Sequence, residues 1–196
     1  MKIALITIPR SGSTFYSREI AKKHNVKHAG ELFHYKALTS KFGYDFPRTM
    51  DDSLRIWSHG SCVGKMFTRD FEDMPGSKEP LEFYENLVYG TADKIYYLYR
   101  KNTTDHLKSI ITANLKSKYS YYRQYKEWKL DVTMDLLEKE YEKIKLDVKR
   151  LDNVRNRFPG EIVYYEDFAT NDQKYTYKSR FFCEGKELPD NLGLSI

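Results

Sequence analysis

The sequence predicts an α/β domain with a mainly parallel central sheet flanked by helices, and three observations carry that expectation. Short, almost wholly apolar runs recur along the chain, as strands buried on both faces require. Segments of helical period separate them. The first run is followed at once by a glycine turn and a helical segment. That first run is Lys2-Ile3-Ala4-Leu5-Ile6-Thr7-Ile8, and the helix after it is expected to reach about His24. Ser61 to Phe67 reads as a second strand and Lys94-Ile95-Tyr96-Tyr97-Leu98-Tyr99 as a third, followed by a helix from Thr103, whose hydroxyl can cap it. Leu137, Tyr141, Ile144, Val148, Leu151, Val154 and Phe158 recur at steps of three or four and predict a long helix, ended by Pro159-Gly160. Glu161 to Tyr165 reads as a fourth strand. The tail from about Tyr175 has no clear period.

Composition bounds the rest. The 196 residues are 40% hydrophobic, enough for a core, and a single domain over 1–196 is expected. Met1 to Ile8 reads as a strand rather than a signal peptide, and no apolar run reaches the length of a membrane span. Cys62 and Cys183 alone make neither a disulfide framework nor a zinc site. With no clustered ligands elsewhere, no metal is expected, and a cytoplasmic location is. The net charge of +5 suits a small anionic ligand. Lys118 to Lys126 interleaves bases with aromatics, which reads as an amphipathic helix packing its tyrosines; nucleic acid is not the expected partner. Cys62 to Arg69 has one residue too many for a tyrosine-phosphatase loop.

The junction Ile8-Pro9-Arg10-Ser11-Gly12-Ser13-Thr14 is the most informative segment. A strand, a glycine turn and a helix bring backbone amides and the positive helix end to one point, which is a seat for phosphate or sulfate. Gly12 permits the turn, Ser13 and Thr14 add hydroxyls, and Arg10 adds a cationic fork. A nucleoside-triphosphate loop would have a lysine and a longer glycine-framed span. That argues against an ATP-dependent kinase, and Gly12 alone does not make a dinucleotide fingerprint.

This junction resembles the 5′-phosphosulfate loop of sulfotransferases, which use 3′-phosphoadenosine 5′-phosphosulfate, and the likeness leans toward the bacterial trehalose sulfotransferase type. Ala29-Gly30-Glu31-Leu32-Phe33, Val63-Gly64-Lys65-Met66, Leu98-Tyr99-Arg100-Lys101 with Ser109, and Val163 to Phe168 resemble further segments of that family, in family order. The resemblance implies a P-loop-type three-layer sandwich and transfer of a sulfuryl group to a hydroxyl-bearing acceptor, with a carbohydrate among the candidates. It implies Glu31 as general base; His34, three residues on, is the competing base on its own chemistry, because an imidazole titrates near neutrality. Arg10, Ser11, Gly12, Ser13 and Thr14 would hold the 5′-phosphosulfate, helped by Lys65. Arg100 or Lys101, with Ser109, would hold the 3′-phosphate, and Lys178 and Arg180 would close over it. The trehalose group also makes a homodimer a possible state, and Lys36 to Ser58 with the tyrosine-rich segment near 120 would shape the acceptor pocket. Two alternatives stand beside this reading: a P-loop kinase-like nucleotide-binding enzyme, and a non-catalytic basic protein that binds glycan or nucleic acid.

Overall fold

Strand β1 (Lys2–Thr7) is the middle strand of the five-stranded sheet, and its composition explains why: Ile3, Ala4, Leu5 and Ile6 are all 0% exposed. It pairs in parallel with β3 (Cys62–Phe67) on one side and β4 (Lys94–Tyr99) on the other. β2 (Lys27–Glu31) lies parallel outside β3, and β6 (Glu161–Tyr164) lies outside β4, giving the order β2-β3-β1-β4-β6. A one-residue irregularity interrupts the β2–β3 register between His28 and Gly30, so that Glu31 stands opposite Lys65. The computed structural model describes residues 1–34, 49–73, 78–115, 128–169 and 179–194. The chain divides into two compact units, Met1–Tyr99 with Arg150–Val163 and Arg100–Lys149 with Tyr164–Ile196.

The first unit carries the mainly parallel sheet with helices on both faces, as the sequence predicts. Consecutive strand residues point to opposite faces. Lys65 reaches Thr14 on α1 (Ser13–His24), whereas a Cβ on the neighbouring Gly64 would meet the Trp57 ring of α2 (Met50–His59) at 3.3 Å. Those two residues therefore place α1 and α2 on opposite sides of β3. α1 ends where Asn25 adopts the left-handed conformation and its N–H meets the Ala21 and Lys22 carbonyls, with Lys22 and Lys23 complementing the helix dipole. Two short elements follow β3, α3 (Asp70–Asp73) and α4 (Leu81–Tyr89).

The second unit contains α5 (Thr103–Leu115), β5 (Trp128–Asp131), α7 (Tyr165–Phe168), β7 (Ser179–Cys183) and β8 (Lys186–Glu187). β7 pairs in parallel with β5 and antiparallel with β8. α6 (Met134–Arg157) belongs to both units along its length.

Several expectations change. β2, α2 and α4 have no counterpart in the sequence reading, because their runs are short or mixed in period. The tail read as aperiodic contains β7 and β8. The cap of α5 is Asn102, whose side-chain oxygen accepts from the Asp105 N–H at 2.9 Å, and not Thr103. Along α6 the buried stripe is Leu137, Glu140, Ile144, Asp147, Leu151 and Val154, so two carboxylates take the places expected for Tyr141 and Val148. The expected tyrosine-rich helix from Lys118 to Lys126 lies outside the described residues. Among the described residues no helix is long and apolar enough to cross a membrane.

Gly160, between α6 and β6, lies hard against β4. A Cβ there would lie 2.6 Å from the Ile95 carbonyl oxygen and 2.9 Å from both Ile95 Cβ and the Tyr97 ring. Gly160→Ala is expected to cost about 1–3 kcal/mol through overpacking. A denaturant midpoint unchanged from the parent protein would refute that account.

Candidate functional site

The β1–α1 turn folds around its own side chains. Ser11, 0% exposed, donates from its hydroxyl to the Ile8 carbonyl at 2.8 Å and contacts the Thr7 hydroxyl. Its side chain is thus a brace inside the turn. Arg10 and Gly12 both adopt left-handed conformations, with φ of 64° and 83°. Gly12 is the residue that caps α1, and no side chain bonds the helix end. The first amides of a helix have no partner within it, so those of Ser13 and Thr14 are the natural anion contacts. Phe15 and Tyr16 already turn their N–H groups to the Gly12 carbonyl, at 3.1 and 3.2 Å.

Lys65 supplies the cation. It sits on β3 and is only 3% exposed, yet its Nζ donates to Thr14 Oγ1 at 2.9 Å and to Glu31 Oε1 at 2.5 Å. A buried ammonium is tolerated only when paired, and here β2 provides the carboxylate and α1 the hydroxyl. Burial pushes the Glu31 carboxyl upward, but the Lys65 charge and hydrogen bond outweigh it and hold the group below its ordinary value. Glu31 is therefore a carboxylate whose first task is to hold Lys65.

His34 follows in the same turn, with its N–H on the Glu31 carbonyl at 3.3 Å. Its Nδ1 lies 2.8 Å from Asp70 Oδ1, and the other Asp70 oxygen accepts from the Phe67 N–H at 2.7 Å. Asp70 thus ties the end of β2 to the end of β3. Burial works against the charged ring, but Asp70 prevails and the His34 pKa is raised. The Asp70 carboxyl is itself raised, because burial dominates on that enclosed group and not on the part-exposed ring. Behind α1, Ser17 donates to the Thr14 carbonyl at 3.1 Å and meets His28 Nε2 at 2.8 Å. Burial and the nearby Arg18 and Lys65 charges lower the His28 pKa, keeping that ring neutral at physiological pH.

The structure thus brings together Arg10, Gly12, Ser13 and Thr14 on the turn, with Lys65, Glu31 and His34 beside them. Sequence reasoning missed Asp70 and the His28–Ser17 brace. The only signal for Asp70 was an acid placed just past the end of a buried strand.

The remaining expected residues belong to the second unit, where acidic partners engage the cations. The Arg100 guanidinium lies over the Tyr165 ring at 4.6 Å and its Nε is 3.9 Å from Glu166. Lys101 pairs with Asp167 at 2.5 Å. Arg180 forms a two-point pair with Glu187. Ser109 is buried on α5. Lys178 and residues 36–48 of the expected acceptor region lie outside the described residues.

No protein-family model matches this chain, and neither does any curated protein. Among solved structures it is similar to the 1.7 Å crystal structure of shikimate kinase from Bacteroides thetaiotaomicron. The TM-score is 0.50 and the identity 13%, over 88% of this chain and 90% of that one. At this identity the likeness establishes the fold alone, an α/β arrangement with a mainly parallel sheet flanked by helices. It also corrects the expected sulfotransferase family and activity: the fold match is to a kinase, and no family evidence supports a sulfotransferase. The physical reason is that the anion turn, the most specific of the quoted segments, is common to strand–turn–helix sites. The downstream basic segment meanwhile turns Arg100 and Lys101 toward Glu166 and Asp167 of the same unit.

Proposed function

We propose that this protein is a P-loop kinase-like enzyme that binds the phosphate chain of a nucleoside triphosphate at the β1–α1 turn and transfers a phosphoryl group to a hydroxyl acceptor. The observation that carries this reading is the Lys65 ammonium, held at Thr14 Oγ1 beside the start of α1. The turn lacks the loop lysine of such sites, and β3 delivers one to the same place. The fold likeness to a kinase supports the reading.

Each residue has a definite task. The amides of Ser13 and Thr14 hold phosphate oxygens, and Arg10 and Lys65 neutralise the charge that develops during transfer. Glu31 keeps Lys65 oriented. His34, with Asp70 on its Nδ1, is the group able to take the acceptor's hydroxyl proton near neutral pH.

Calorimetric titration with ATP tests the binding site, with adenosine 3′,5′-bisphosphate as comparator. ATP binding is expected, and in EDTA Lys65→Ala should weaken it by about 10- to 100-fold, the worth of a charge-assisted contact of about 1.5–3 kcal/mol. Unchanged affinity in that variant, or a preference for the bisphosphate, would overturn the reading.

The His34–Asp70 pair makes a separate, signed expectation. Because the folded pKa of His34 is raised, the pair adds stability that is fully present below the ordinary imidazole value of about 6.5. That stability is lost as pH rises through the folded value. In an NMR titration Asp70→Asn should move the His34 midpoint downward and remove the extra stability at low pH. A midpoint that stays put would show that Asp70 does not hold the ring.

A further inference from the structure

P-loop nucleotide sites hold a divalent cation through the hydroxyl at the start of the first helix and a nearby carboxylate. Both donor types are present here, as Thr14 on the first turn of α1 and Glu31 at the end of β2. The residues nevertheless do not fit the ion. Thr14 Oγ1 and Glu31 Oε1 are both occupied by Lys65 Nζ, at 2.9 and 2.5 Å. A divalent cation between those oxygens would stand against an ammonium on a side chain only 4% exposed. Like charges at such range repel strongly in a partly desolvated site.

We propose that the Lys65 ammonium takes the seat of the divalent cation, so that the site binds a nucleoside triphosphate as the metal-free anion. The inference rests on the nucleotide reading above and deepens it. An ammonium carries three donors, and among the described residues Thr14 and Glu31 take two of them. The third is the donor for a phosphate oxygen. The register fixes this geometry: Glu31 and Lys65 face one another on neighbouring parallel strands, and Leu5 stands opposite Lys65 on its other side. Lys65 cannot retreat along the strand without breaking that pairing.

The experiment is a calorimetric titration of the full chain with ATP, once with excess magnesium and once with excess EDTA. Wild-type affinity is expected to be the same within about twofold in both media. In Lys65→Ala the vacated space leaves Thr14 and Glu31 facing each other, and magnesium should then recover at least about tenfold of the affinity lost in EDTA. Lys65→Met, which fills the same space without charge, should lose affinity and show no recovery; it also serves as a folded control if the alanine variant is unstable. Wild-type binding that needs magnesium by tenfold or more would overturn the inference while leaving the nucleotide reading intact. Absence of ATP binding in both media would instead reject the nucleotide reading itself.

Discussion

The first unit depends on one demand: an ammonium inside a parallel sheet must be paired. Lys65 stands on β3, between Leu5 and Glu31 in the register, in a position where an apolar residue would be the ordinary occupant. Its burial is tolerable only because Glu31 and Thr14 meet it. That single requirement couples three elements far apart in sequence. β2 must end in register with β3, α1 must begin over the same face, and the turn between β1 and α1 must be short enough to put Thr14 there. Removing the lysine would leave a carboxylate and a hydroxyl half-buried without their partner, so the ion pair organises the site as well as charging it.

Around this centre the supports are arranged by chemical type. The Ser11 hydroxyl faces inward and braces the turn, so that under the proposed function ligand contact falls to the backbone amides and to Arg10. Asp70 joins the Phe67 amide to the His34 ring, so the strand ends that carry Lys65 and Glu31 are held by a second, independent link. On the opposite face of β3 the contact is apolar, where Trp57 packs on Gly64 and is 1% exposed. One strand thus presents a charged surface to α1 and an apolar one to α2 in alternate residues.

The continuous apolar runs of β1 and β4, and the helical period of α6, were readable because each is long and of one period. β2 was not, since Lys27-His28-Ala29-Gly30-Glu31 contains a lysine, a histidine, a glycine and an acid, and is a strand only because β3 offers it an edge. On α6 the expected stripe of Tyr141 and Val148 gave way to Glu140 and Asp147. Periodicity alone could not foresee that choice, because a helix face is selected by what packs on it. The site divides in the same way. The anion turn, Lys65, Glu31 and His34 were all visible as residue types near one another in strand-end positions. Their mutual hydrogen bonds, and the role of Asp70, depend on strand order and register, which no local pattern encodes. The family likeness failed at that same level, since it rested on short segments judged one at a time.

The irregularity in β2 has a consequence for how this chain can change. Counted back from Glu31 opposite Lys65, Gly30 faces Gly64, and His28 rather than Ala29 faces Val63. One extra residue has therefore been inserted into the reading frame of the strand. Paired without that irregularity, residue for residue from Lys27 opposite Cys62, β2 would bring Gly30 opposite Lys65 and the acid would fall one step beyond it. The hydrogen-bonded ladder would survive while the charge pairing was lost. The irregularity is thus a phase control: ironing it out at constant length would switch the electrostatics of the turn, whereas deleting Ala29 would straighten the strand and keep Glu31 on Lys65.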